Sequence, residues 1–184
     1  MRGYAITLVL ALSITVNVLQ ALRIKSAEEH ARIRGTVYSP ILGKTVSEIQ
    51  VENLQGRPMT LRLAGAHKPT LIYVFRPSCV WCNSNSRPFN ALASRVAGQY
   101  NVIGLSLESE RLFGFLTAHS MSIPIYTALK PPSLSGYQLG FTPETLIVSE
   151  YGTILQDWRG AYAGETKDLL EQFFGFKILD VTDD

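Results

Sequence analysis

The sequence predicts an α/β fold, a central mixed β-sheet flanked by helices, preceded by one N-terminal transmembrane helix. Three observations predict it. Residues 3–22 form an uncharged run of twenty residues. Further on, apolar strand-like runs alternate with helix-like ones in βαβα order. A single Cys-x-x-Cys, Cys79-Val80-Trp81-Cys82, stands at the junction of one such strand and helix.

The 184 residues carry 17 Lys and Arg against 15 Asp and Glu, a net charge of +2. This near-neutral balance argues against nucleic acid as the partner, because neutralising phosphates needs a concentrated basic face. Charged residues make up only 17% of the chain, below the roughly one quarter of ordinary soluble domains, as expected when one segment is built for lipid. Two cysteines are also too few to staple a small disulfide framework.

At about 1.5 Å per residue, the uncharged run spans roughly the 30 Å of a bilayer core. Its flanks lack the small-x-small site of a cleaved signal peptide. An uncleaved anchor over 1–22 is therefore the favoured reading. Ser13, Thr15, Asn17 and Gln20 dilute the run, which leaves a buried soluble helix as the weaker alternative. Residues 23–34, rich in Lys, Arg, Glu and Ala, read as a helical stalk, and 35–43 as a linker, so that 23–44 joins the anchor to a folded domain over 45–176.

Within that domain, 46–51 and 59–63 flank the turn-rich Gln55-Gly56-Arg57-Pro58 and predict a strand pair. The continuous apolar run 70–75 predicts a central strand buried on both faces. A helix follows from the cysteines to about Gly98, then a second buried strand over 101–107, which implies a parallel pair with a right-handed crossover. Residues 110–119 read as a helix with Leu112, Phe113, Phe115 and Leu116 inward. Runs 144–149 and 153–158, joined by Glu150-Tyr151-Gly152, read as an antiparallel hairpin. A last helix over 165–174 carries Leu169, Leu170, Phe173 and Phe174 as its core stripe, and 177–184 reads as an acidic tail.

The cysteine pair carries the chemistry. At a helix N-terminus the unpaired backbone N–H groups and the positive end of the dipole favour a thiolate, which makes Cys79 the candidate nucleophile. Cys82, one turn further in, is placed to attack a mixed disulfide on Cys79 and release the partner. Arg76 is expected to add positive potential. A zinc site would call for four Cys or His ligands, whereas His30, His67 and His119 are scattered, so no metal is expected. A Cys-x-x-Cys-His haem signature is absent. Two inert buried cysteines are the remaining bland reading. A second constellation is Gly140-Phe141-Thr142-Pro143-Glu144, just before a strand. A cis Pro143 would leave backbone groups of Thr142 free to pair with an extended substrate, although proline at a strand start is allowed in any case.

With these elements in place, 45–174 resembles the thioredoxin-like proteins, in particular the membrane-anchored TlpA-type thiol–disulfide oxidoreductases of bacteria. The likeness rests on strand 71–75 leading to Cys79 and Cys82, the strand 101–107, and Tyr137-Gln138-Leu139-Gly140-Phe141-Thr142-Pro143 followed by 146–152 and Gly160. It implies a cis Pro143 facing a redox disulfide of Cys79 and Cys82, and a substrate-binding edge of Thr142, Pro143 and Trp81. It further implies protein thiols or disulfides as substrates, an upstream thiol electron donor, no bound cofactor, and a catalytic domain on the outer side of a bacterial inner membrane. The flanking charges, Arg2 before the run and Arg23, Lys25, Arg32 and Arg34 after it, point the other way by the positive-inside rule. Cytochrome c maturation is a family-level client. Ser78 stands where the family often has Trp, and Val80-Trp81 replaces its frequent Pro-containing dipeptide. Tyr73 and Asn85 occupy the positions of its buried acids, which leaves deprotonation of Cys82 to water or another group. Asn83-Ser84-Asn85-Ser86 and Pro88 predict an irregular active-site helix. The alternatives are a peroxiredoxin-type peroxidase and a non-enzymatic thiol metal carrier or scaffold. The residues before Cys79 do not supply the usual peroxiredoxin pattern.

Overall fold

The computed structural model describes residues 13, 17, 20, 39–128, 133–134, 137–138 and 141–181. The chain divides into two units, Met1–Tyr38 and Ser39–Asp184. In the first, Ser13, Asn17 and Gln20 are helical and exposed; the rest of the expected anchor and stalk lies outside the described residues. Among the described residues no helix is long and apolar enough to cross a membrane.

Among the described residues the second unit is built on nine strands, β1 (Glu48–Glu52), β2 (Pro58–Arg62), β3 (Thr70–Phe75), β4 (Asn101–Ser106), β5 (Ile125–Ala128), β6 (Ser133–Leu134), β7 (Tyr137–Gln138), β8 (Glu144–Val148) and β9 (Ile154–Arg159). Its helices are α1 (Val80–Val96), α2 (Leu112–Ala118) and α3 (Gly164–Phe174). Seven strands form one mixed sheet in the order β2-β1-β5-β4-β3-β8-β9, while β6 and β7 pair separately. β3 is central and buried at every residue, pairing in parallel with β4 and antiparallel with β8. The hairpins β1/β2 and β8/β9 form as the sequence predicts.

Alternation along β3 separates two cores. Leu71, Tyr73 and Phe75 pack with Phe89, Leu92 and Val96 of α1 on one face. Ile72 and Val74 pack with Ile41, Val51 and Leu105 on the other. Tyr73 stacks on Phe89 at 4.0 Å between ring centroids. The short loop between β3 and α1 therefore delivers Cys79 to the end of the sheet at a helix start.

Five expectations change. Residues 39–43 are part of the folded unit and not a linker, because Ile41 is fully buried and the segment pairs with the start of β9 through Gly43 N–H to Ile154 O and Ile154 N–H to Lys44 O. β5 was not expected. It is a four-residue strand behind Pro124 that bridges β4 to β1. Phe113 points outward at 84% exposure, since Leu112 and Phe115 already face the core and the next residue round lies about 100° away. Residues 177–181, expected as part of an acidic tail, pack on the folded unit: Ile178 is buried, and Lys167 Nζ holds Asp180 at 2.7 Å. α1 is one continuous helix with Pro88 inside. Its Ser and Asn side chains find backbone partners, as Ser84 Oγ to Val80 O and Ser86 Oγ to Asn83 O do.

Candidate functional site

Cys79 is the N-cap of α1, in extended conformation at φ −82° and ψ 119°. Its sulfur accepts the Cys82 N–H at 3.2 Å, one of the donors that a helix start leaves without an intrahelical partner. The Cys79 thiol in turn donates to the carbonyl of Thr142 at 3.4 Å. The Thr142–Pro143 peptide is cis. Two segments 63 residues apart thus meet at one sulfur.

Both cysteines are free thiols, Cys79 half-buried and Cys82 buried. Burial pushes the Cys82 thiol up to about 12, and the hydrogen bond with Cys79 adds to it. Cys79 is the accessible sulfur and Cys82 the one held protonated beneath it. Val80 and Trp81, at 74% and 62% exposure, follow Cys79 directly in sequence, and Phe141, at 61%, precedes Thr142. The Phe141 ring lies over the Arg159 guanidinium at 4.9 Å.

Tyr73 and Asn85 pair with each other. Asn85 Oδ1 accepts the Tyr162 N–H at 2.6 Å, which fixes the amide so that Nδ2 donates to the Tyr73 hydroxyl at 3.3 Å. Burial, followed by the neighbouring Cys82, raises the Tyr73 phenol well above its ordinary value. The ground beneath Cys82 is therefore polar but neutral. Tyr162, buried and bonded to Thr145 at 2.8 Å, completes this layer.

Arg76 does not act as a free cation beside the cysteines. Glu108 lies 3.7 Å from its Nε and accepts the Ser78 hydroxyl at 2.7 Å. Ser78 thus anchors the cysteine loop to the end of β4. Glu108 was not singled out in the sequence; the available signal was a carboxylate just past the strand that runs parallel to β3.

On the opposite face of the sheet, immediately after Pro143, Glu144 and Asp157 are buried side by side with Arg159. Arg159 bonds Glu144 at 3.1 Å. It also lies 3.0 Å from Asp157, out of line for a hydrogen bond. One guanidinium facing two carboxylates leaves an excess negative charge in the interior. Burial and Asp157 accordingly push Glu144 up to about 8. Among the described residues no group of three or more His, Cys, Asp or Glu side chains could hold a metal ion.

This arrangement belongs to a known class of fold. No family model matches the chain. A thioredoxin-like protein from Haemophilus influenzae is 24% identical over 117 residues, covering 62% of this chain and 68% of that one. The thioredoxin domain of a thiol-disulfide oxidoreductase from Bacteroides vulgatus superposes with a TM-score of 0.56 at 18% identity, over 73% of this chain and 99% of that one. A thiol:disulfide interchange protein from Bacteroides sp. gives 0.57 at 17% identity over 73% and 90%. The peroxidoxin BcpB from Mycobacterium tuberculosis gives 0.57 at 14% identity over 74% and 97%. The unit Ser39–Asp184 has the thioredoxin-like fold.

Proposed function

We propose that the chain is a thiol–disulfide oxidoreductase acting on protein thiols or disulfides. The observation that carries this reading is the placement of the Cys79 sulfur, accessible, bonded to the first turn of α1 and in contact with Thr142 O, directly above a buried thiol. In the reductive direction the Cys79 thiolate attacks a client disulfide and one client sulfur leaves. The Cys82 thiolate then attacks Cys79, releasing the second client sulfur and leaving the Cys79–Cys82 disulfide. Two electrons pass to the client, and an upstream thiol donor must restore the pair. Thr142, Pro143 and Trp81 form the edge that holds the client chain. We further propose that residues 3–22 anchor the domain on the outer side of a bacterial inner membrane, with apocytochrome c, whose cysteines must be reduced before haem attachment, as a client.

The test is equilibration of the full chain against glutathione and dithiothreitol buffers. A potential near about −270 mV marks a reductase and one near about −120 mV an oxidant. Absence of a disulfide at every poise overturns the reading. Cys79→Ser should abolish turnover and Cys82→Ser should accumulate mixed disulfides. The likeness to a peroxidoxin favours a peroxidase as the second reading, and Cys79-dependent loss of hydrogen peroxide would promote it. A C-terminal reporter fusion active only in the cytoplasm would reverse the proposed topology.

A further inference from the structure

One partly buried polar network touches the site and has no part in the exchange steps above. His119 caps the C-terminus of α2 and is held from both sides of its ring. Nε2 lies 2.9 Å from Asn83 Oδ1, and Nδ1 lies 2.8 Å from Ser86 Oγ. Asn90 Nδ2 donates to the His119 carbonyl at 2.8 Å. Positions 83, 86 and 90 share one face of α1, so this face is clipped to the end of α2. Asn83 also reaches the catalytic loop, its Nδ2 donating to the Cys79 carbonyl at 2.8 Å.

Proton accounting fixes the roles. The Cys79 carbonyl can only accept, so the Asn83 amide presents NH2 to it and Oδ1 to the histidine. Nε2 of His119 must then carry a hydrogen. The Ser86 hydroxyl donates to the Asn83 carbonyl at 2.7 Å, so in this arrangement it accepts from Nδ1. With the Ser86 hydrogen on the Asn83 carbonyl, both ring nitrogens are donors and the ring is an imidazolium, the form that acidic pH populates. A neutral ring keeps Nε2–H but turns the Ser86 hydroxyl onto Nδ1, giving up the Ser86 bond to Asn83. The other neutral tautomer would set two lone pairs against each other at Asn83 Oδ1.

We propose that His119 is a positioning residue of the Cys79 site, one that holds the Asn83 amide against the Cys79 carbonyl and whose proton makes the Cys79 thiol more reactive. The inference rests on the reading of Cys79 as the attacking sulfur. The added charge lies two hydrogen bonds from the Cys79 carbonyl, through a polarisable amide, and favours the thiolate. Two features stabilise the charged ring, the C-terminal end of α2 and the Phe115 ring at 4.5 Å. Burial opposes them and lowers its pKa below the ordinary 6.5. The charged residues on the elements packed here are Arg87 and Arg95 of α1, Arg111 at the start of α2, and Glu108 and Glu110 before it; the cause of the lowered pKa is burial.

The experiment is alkylation of Cys79 in the full chain by iodoacetamide between pH 5 and 9, resolved by peptide mass spectrometry, with the His119 ring followed by NMR. In the unaltered chain the rate at low pH should exceed the single-ionisation curve drawn from high pH by about threefold, half a unit of ionisation. The excess should disappear over the range where the ring titrates. H119Q should abolish this excess. N83A, at an exposed position, should also abolish it while His119 still titrates, an outcome that a purely structural role for His119 does not give. A profile unchanged in both variants overturns the proposal. If H119Q fails to fold, N83A decides alone. A missing excess with a normal redox couple rejects only this inference, whereas an excess without any redox couple rejects the oxidoreductase reading.

Discussion

The buried thiol gives the most quantitative consequence of the site. Cys82 is fully buried, and its thiol is pushed from the ordinary 9.0 up to about 12. At pH 8, three units lower its thiolate fraction about a thousandfold relative to an ordinary thiol. A thiolate of higher pKa is intrinsically the better nucleophile, and a Brønsted slope of 0.4–0.5 returns roughly 16- to 32-fold. The ionisation effect wins. Cys82 in the folded, reduced chain should react with iodoacetamide at least about 30- to 60-fold more slowly than the same cysteine in urea, before burial limits access further. The assay quenches aliquots at pH 8, digests them and quantifies each cysteine separately. Modification of native Cys82 within about threefold of its unfolded rate would refute both its burial and the resolving role proposed for it.

Other parts of the structure give equally direct tests. Glu144 is raised from 4.5 to about 8, so the folded chain holds that proton more tightly than the unfolded one. Its contribution to stability is full below about pH 4.5 and is lost as pH rises through 8, by at most roughly 1.4 kcal/mol per pH unit. Asp157→Asn, which removes the neighbouring charge, should flatten this fall in urea titrations run from pH 5 to 8. Asn85→Leu strands the buried Tyr162 N–H and should lower unfolding free energy by about 1–3 kcal/mol; an unchanged urea midpoint would show that the Tyr73–Asn85–Tyr162 layer contributes nothing. Gly152 sits at φ +85° with a Cβ position 2.7 Å from Val46 O, so Gly152→Ala should cost more than about 1 kcal/mol in thermal unfolding.

How much could be read from the sequence depended on range. The run 70–75, the hairpin 144–158 and the cysteine pair are signalled by neighbours in sequence, and the structure contains each of them. The contacts that complete the site are signalled by nothing local. Glu108 meets Ser78 only because β3 and β4 run in parallel with Phe75 opposite Ser106. Asn85 and Tyr162 are 77 residues apart. Ile41 lies in Ser39-Pro40-Ile41-Leu42-Gly43, where one buried apolar residue among turn formers has no period to reveal it. The run Asn83-Ser84-Asn85-Ser86 reads as poor helix by propensity. Tertiary partners account for it: Asn85 faces inward to Tyr73 and Tyr162, while Asn83 and Ser86 face His119.

The segment that precedes the first hairpin bears on a hazard common to open sheets. A free strand edge is a template on which other chains polymerise. Here the two flanks are shielded by different means. On one, the stretch around Gly43 and Lys44 caps the start of β9 with its own backbone. On the other, β2 is five residues long, opens with Pro58 and ends on exposed Arg62, a poor seed for a growing fibre. Deleting residues through Lys44 would uncover an apolar margin at Ile154, and the expected penalty is self-association as well as lost stability.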